Sequence, residues 1–302
     1  MPEVSVIITT HNRPHLLPRA VKSALAAGTD VEVVVVDDAS IDETATLCQS
    51  LHGIKYVRLP NNQGVAGARN AGVLASSAEY VALLDDDDVR LPGSLDLQLA
   101  RLRDESNAAL IYGQALIDGA TDRTTNDRYP LQCPSGDVFW QLLPQNFIPS
   151  GSVIVRRACL LSTGLFDASI AAIDDWDLWI RIAASYSVVS VAEPVVIWRR
   201  PSPNSDQGSA SAVKMVTLST RQFRECWMKM PRVVQADPGT RSQTTRHFSQ
   251  NMASHLVCEA MRSLSRGKVI DANRCIAAAV RLHSKGIAWR AVRQVSMMRG
   301  GQ

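Results

Sequence analysis

Four consecutive carboxylates, Asp85-Asp86-Asp87-Asp88, directly follow the apolar run at residues 80–84. Alternate residues of a strand share a face, so Asp85 and Asp87 can both point at one ion. Hard cations such as Mg²⁺ or Mn²⁺ take carboxylate oxygen, often from one or two carboxylates plus substrate phosphates. The competing reading is an exposed acidic turn. A second cluster, Asp174-Asp175-Trp176-Asp177-Leu178-Trp179, heads a helical stretch. A carboxylate buried beside aromatic rings holds its proton more tightly and can serve as a general base toward a hydroxyl. The plainer alternative is a helix cap, with Trp176 and Trp179 in the core. Asp37-Asp38 is a third acidic pair, able to accept from a base or ribose, or to cap the next helix. Residues 62–72 place glycines at a helix entrance, where backbone N–H groups favour anions. Arg69, within that helix, can reach a phosphate or a base.

These groups need a frame. Residues 4–10, 32–37, 55–59 and 80–84 read as strands, and 14–27, 40–49 and 64–76 as helices. Ser40 and Glu43 have the spacing of a capping box. Alternation of strand and helix predicts a mostly parallel sheet with helices on both faces. Ligands of such sheets sit at the carboxyl ends of the strands. Those ends carry Thr9-Thr10-His11-Asn12, Asp37-Asp38 and Asp85–Asp88, which would converge on one crevice. Further on, helices are expected near 92–104, 137–143, 156–161 and 175–185. Strands are expected near 109–117, 152–155, 188–191 and 195–198. Residues 118–134 read as a long surface loop, and 201–208 as a linker or lid. Beyond 209 the chain reads as three or four helices.

The 302 residues are 46% hydrophobic and 20% charged, an ordinary globular composition. A formal net charge of +3 gives no reason to invoke nucleic acid. The distribution is uneven. From Arg262 onward nine cations face one acid, Asp271, so this tail carries 9 − 1 = +8 and the rest 3 − 8 = −5. A basic tail on a mildly acidic body suits peripheral contact with an anionic surface, or a solvated helical face. The six cysteines show no C-x-x-C pair, which argues against a zinc site and suits reduced thiols in the cytoplasm.

The order of these clusters resembles family 2 glycosyltransferases of the GT-A fold. It is carried by VSVIITTHNRPHLLPRAVKSAL, VEVVVVDDASIDET, NNQGVAGARNAG, YVALLDDDDVRLPG, TGLFD and IDDWDLWIRIA, over about residues 3–200. The resemblance implies a GT-A domain at 1–208 with a helical extension at 209–302. It implies inverting, metal-dependent transfer of a sugar from a nucleoside diphosphate, UDP by default, to a hydroxyl acceptor. That acceptor would be a growing polysaccharide, a lipid-linked glycan or another glycoconjugate. By the same resemblance, Thr9 and His11 edge the nucleotide pocket, Asp38 contacts the base, and Arg69 lies near the base or diphosphate. Asp87 ligates Mn²⁺ or Mg²⁺, with Asp85 on the ribose or the metal shell. Asp175 is the base, and Asp174 the reserve choice. One base suffices for a single displacement; a double displacement needs a nucleophile as well. One departure is that residues 198–201 read Trp-Arg-Arg-Pro, where many relatives carry a histidine; Arg199 or Arg200 is then the diphosphate contact. The alternatives are a nucleotidyltransferase and a non-catalytic sugar- or nucleotide-binding protein on a decayed fold. The THNRP turn lacks the basic glycine-rich loop of the first. The retained Asp85, Asp87 and Asp175 argue against the second.

Overall fold

The computed structural model describes residues 1–118, 124–199 and 209–282. They group into two compact units, Met1–Phe139 with Phe147–Arg200, and Trp140–Asn146 with Pro201–Gln302. The boundary expected at residue 208, the linker at 201–208 and Arg200 lie outside the described residues.

The first unit alternates as its sequence implies. Strand β1 (Val4–Thr10) leads to α1 (Leu17–Leu25), β2 (Val31–Asp37), α2 (Thr44–Ser50), β3 (Ile54–Arg58), α3 (Gly64–Ala75) and β4 (Tyr80–Asp85). Then follow β5 (Val89–Arg90), α4 (Ser94–Arg103), β6 (Ala108–Asp118), β7 (Thr124–Tyr129), β8 (Ile154–Arg156), α6 (Arg157–Thr163), α7 (Asp174–Ala183) and β9 (Ser187–Arg199); the short α5 (Phe139–Leu142) falls between β7 and β8 in the chain and belongs mostly to the second unit. The sheet runs β3-β2-β1-β4-β8-β6-β9-β5, with β7 on β6. From β3 to β4 every pairing is parallel; beyond β4 the sheet is mixed. β1 is buried along its whole length, which fits its mostly β-branched sequence VSVIITT.

Three local expectations differ. The strands expected at 188–191 and 195–198 are one strand, β9, whose register shifts on β6 absorb the irregularity between them. Part of the expected loop at 118–134 is β7, paired antiparallel with β6. Its polar residues hid it, because an edge strand need not be apolar. The Ser40–Glu43 capping box does not form. Ser40 Oγ accepts Asn12 N–H at 2.9 Å, and α2 starts at Thr44, whose N–H and hydroxyl go to Asp42 Oδ1.

Helix α3 lies very close to the sheet. A Cβ built on Gly72 would stand 2.4 Å from Ile7 Cγ2 and 3.2 Å from Val36 Cγ2. Gly72→Ala should therefore cost roughly 1–3 kcal/mol by overpacking, offset in part by about 1 kcal/mol of helix propensity. A urea unfolding curve shifted to lower midpoint is the expected result; an unchanged midpoint would mean that α3 can lift without cost.

The second unit contains helices α8 (Ser209–Glu225), α9 (Pro231–Val234), α10 (Pro238–Ser265) and α11 (Val269–Leu282). Asp237 caps α10, accepting Thr240 N–H at 2.9 Å, and Pro238 suits its first turn. Phe223 stacks on Phe248 at 4.0 Å, with Trp227 edge-on to Phe223. Among the described residues no helix is long and apolar enough to cross a membrane.

Candidate active site

Strands β1, β2 and β4 end side by side, with Thr9 in register between Val36 and Asp85. Their ends are laced together by polar contacts. Asp38 N–H donates to Thr10 O at 2.9 Å, and the Asp38 carboxylate accepts Gln63 N–H at 2.7 Å, at the entrance of α3. His11 Nδ1 donates to Asp38 O at 2.7 Å, and Nε2 accepts from Asn12 Nδ2 at 2.9 Å. Both contacts together select the neutral tautomer protonated at Nδ1. Asn12 takes a left-handed φ of 54°, and its Oδ1 accepts Ile41 N–H. Asp37 is turned inward, where it accepts Tyr56 O–H at 2.8 Å and Ser40 N–H at 2.9 Å. Of the Asp37-Asp38 pair, Asp37 therefore braces the sheet and Asp38 organises the rim.

β4 stops at Asp85, and a turn closed by Asp88 N–H to Asp85 O (3.1 Å) carries the other acids. The alternation expected from a strand is produced by this turn instead. Asp85 and Asp87 remain partly open, whereas Asp86 and Asp88 are buried. Asp86 accepts Thr10 O–H at 2.7 Å and Arg13 Nη1 at 3.2 Å; burial still pushes its pKa up to about 6. Asp88 accepts the N–H of Arg199 at 2.9 Å, anchoring the end of β9. Burial, then Asp85, raise Asp87 above the usual carboxylate range, and Arg13 at 3.4 Å opposes this. Arg90, just after the turn, ties β5 to α4 and to the segment before β8. It is fully buried and donates to Gln98 Oε1 at 2.6 Å and Val153 O at 2.7 Å. Burial lowers its pKa to about 9.

The second acidic cluster is the first turn of α7, where carboxylates complement the helix dipole. Trp176 and Trp179 are buried in the core, with Trp179 edge-on to Phe166. Asp174 is buried and paired with Arg69 Nη1 at 3.2 Å, and Arg69 Nη2 reaches Asp85 at 2.8 Å. Arg69 thus joins α3 to both acidic clusters. Asp175 keeps part of its surface open, and its Oδ1 accepts its neighbour's N–H (Trp176) at 2.6 Å. Burial first, then the Asp174 charge, push its pKa up to about 6, against the pull of Arg69. The approach to α7 is held rigidly. Arg181 ties Asp177 to the carbonyls of Thr163, Gly164 and Leu165, and Asn70 pairs with both backbone groups of Phe166.

Thr9, His11, Asp38, Arg69, Asp85, Asp87, Asp174 and Asp175 therefore belong to one region around the ends of β1, β2 and β4. Sequence reasoning missed Arg13, Asn70 and Arg181. Arg13 carried one usable signal, a cation in a strand-end turn facing acidic strand ends. Asn70 acts through backbone groups, and Arg181 mostly through backbone carbonyls, which leave no pattern of residue types; the i,i+4 spacing of Asp177 and Arg181 signals only their own ion pair.

The donor set fits a hard divalent cation. It offers adjacent carboxylates whose mutual repulsion calls for positive charge, and in the free protein Arg13 supplies some of it. Among the described residues no three His, Cys, Asp or Glu side chains gather as a closed metal cage. One or two carboxylates plus substrate oxygens remain, the mode that Mg²⁺-type ions use.

The sequence profile of glycosyl transferase family 2 matches residues 5–160, more than half of the chain. The chain belongs to this family. The match covers β1 to β4, the acidic turn and β8. A family relative, the succinoglycan biosynthesis protein ExoO of Rhizobium meliloti, is 38% identical over 104 residues, 33% of this chain and 30% of ExoO. The GalNAc(5)-diNAcBac-PP-undecaprenol beta-1,3-glucosyltransferase of Campylobacter jejuni is 38% identical over 124 residues, 39% of this chain and 40% of that protein. The chain thus spans well under two thirds of these two relatives. It spans 80% of the glycosyltransferase YwdF of Bacillus subtilis, at 27% identity over 70% of its own length. The fold is that of solved glycosyltransferases. The mannosyltransferase PcManGT of Pyrobaculum calidifontis, in complex with GDP-Man and Mn²⁺, superposes with TM-score 0.60 at 18% identity, covering 94% of this chain and 88% of that one. S. aureus TarS 1–349 in complex with UDP gives 0.55 at 14%, covering 92% and 91%.

Proposed function

We propose that this protein transfers a sugar from a nucleoside-diphosphate donor, a UDP-sugar, to a hydroxyl acceptor with inversion, in the synthesis of a cell-surface polysaccharide or glycoconjugate. One observation carries the reading: Arg69 places the acidic turn after β4 and the carboxylates at the start of α7 in a single connected cluster. A group suited to a diphosphate and a group suited to a hydroxyl proton are thereby neighbours. The bound nucleotides of TarS and PcManGT, and the glucosyltransferase relative, agree with this chemistry.

In this reading Thr9, His11 and Asp38 edge the nucleotide, with Asp38 toward the base. Asp87 and Asp85 would hold Mn²⁺ or Mg²⁺, which supplies positive charge to the departing diphosphate. The acceptor oxygen attacks the anomeric carbon from the face opposite the diphosphate. The new glycosidic bond forms as the bond to the diphosphate breaks, and the hydroxyl proton passes to Asp175. Asp174 is committed to Arg69, which leaves Asp175 as the free base. Isothermal titration of UDP, GDP, CDP and dTDP, with and without Mn²⁺, tests the donor class. Metal-dependent binding of one nucleotide, UDP, is expected. No binding of any would favour a decayed fold without catalysis.

The second unit supports peripheral contact with an anionic membrane. On α11, Ala272, Cys275 and Ala279 are buried, whereas Val269, Ile270, Ile276 and Val280 are exposed on adjoining faces bordered by Arg274 and Arg281. An apolar stripe edged by cations suits a lipid interface with negative headgroups. The full chain should sediment with phosphatidylglycerol vesicles and not with phosphatidylcholine vesicles. Ile270→Glu with Ile276→Glu should release it at least about tenfold, given the apolar area each side chain would bury. Equal, negligible sedimentation with both vesicle types would remove this part of the reading.

A further inference from the structure

Arg69 is a buried cation serving two carboxylates from distant parts of the chain. Its Nη2 donates to Asp85 at 2.8 Å and its Nη1 to Asp174 at 3.2 Å. The guanidinium also lies 5.5 Å from the ring centroid of Phe166. Arg69 and Asp174 side chains are each only 8% exposed. Desolvating such a pair is expensive, and a hydrophobic pair of similar volume would avoid that cost but could not bridge two carboxylates. The planar fork matters: two nitrogens can address two different carboxylates at once, which a lysine ammonium does less well. The next residue, Asn70, fixes Phe166, so one turn of α3 holds both Asp174 and the segment leading to it.

We propose that Arg69 is a positioning residue that ties the first turn of α7 to the end of β4 and keeps a compensating positive charge beside Asp175. The inference rests on Asp175 acting as the base, and it assigns Asp174 to the tether. The charged groups acting on Asp175 are Asp174 from its own helix, Arg69 from α3 and Asp85 from β4. Asp174 and Asp85 favour a proton on Asp175; Arg69 opposes it. Removing the cation or the neighbouring anion must therefore move Asp175 in opposite directions, which a loss of packing alone would not do.

The experiment is a ¹³C NMR titration of the aspartate carboxyls in the full ligand-free chain, for wild type, Arg69→Met, Arg69→Lys and Asp174→Asn. Arg69→Met should raise the Asp175 midpoint and Asp174→Asn should lower it, each by about one pH unit. Arg69→Lys should fall between wild type and Arg69→Met, because the charge is kept and the double contact is lost. Midpoints that stay put, or that move the same way in Arg69→Met and Asp174→Asn, would overturn the tether. If Arg69→Met does not fold, the near-isosteric Asp174→Asn and Arg69→Lys decide the question. The titration needs no substrate. Absent nucleotide binding would overturn the glycosyl-transfer reading alone, and flat titrations with intact nucleotide binding would overturn the tether alone.

Discussion

Asp175→Asn is expected to lower turnover of a nucleotide-sugar donor by about 10²- to 10⁴-fold, the range for loss of a general base. Nucleoside-diphosphate affinity should stay near wild type, because Asp175 faces the acceptor in this reading. The amide fills the same space and still accepts the N–H of Trp176, so folding should survive. The wild-type pH profile should carry the signature of the same group. Burial and the Asp174 charge push Asp175 up to about 6. A base works deprotonated, so rate should be full above that value and fall as pH drops through it. An unperturbed aspartate would hold its rate to about pH 4. Steady-state rates from pH 4.5 to 8 with the cognate donor decide the matter. Turnover within about threefold of wild type in Asp175→Asn would displace this residue as the base.

Asp87→Ala should abolish the gain in nucleotide affinity that Mn²⁺ provides, a loss of at least about tenfold, or roughly 1.4 kcal/mol. Asp87 is partly open at the turn after β4, and both burial and Asp85 raise its pKa, so it carries its charge at a cost. A bound divalent cation repays that cost; alanine removes both the cost and the ligand. Arg13 would still pair with Asp86, so the turn should keep its shape. Titration of UDP with and without Mn²⁺ into both proteins reads the effect. The same metal dependence in Asp87→Ala as in wild type would move the cation site elsewhere. Asp86→Asn is the useful contrast, because Asp86 faces inward to Thr10 and Arg13. It should weaken nucleotide binding less.

Much of this arrangement was legible in the linear chain. Nearly continuous apolar runs marked β2 and β4, and a β-branched run marked β1, because parallel strands covered on both faces leave little polar side. Acidic groups directly after such runs placed the crevice, since chain direction puts those ends on one edge. The plainer reading of Trp176 and Trp179, that they belong to the core, is the one the fold adopts, and both are buried. β7 was not legible, because polar edge strands resemble loops. The capping box at Ser40 was misread for a related reason. Ser40 had two possible partners, a local amide in α2 or the distant Asn12, and the fold selected the distant one.

Sequence by itself determined the alternation of strand and helix and the types of the groups at the strand ends. These follow from periodicity and residue chemistry, which are local. Only the tertiary structure decided which carboxylates are open and which are spent. Asp86 and Asp88 turn inward, Asp174 is taken by Arg69, and Asp175 stays partly open. Four adjacent aspartates look alike in a sequence. Burial, and cations brought from elsewhere in the chain, Arg69 on Asp85 and Arg13 on Asp86 and Asp87, make them different.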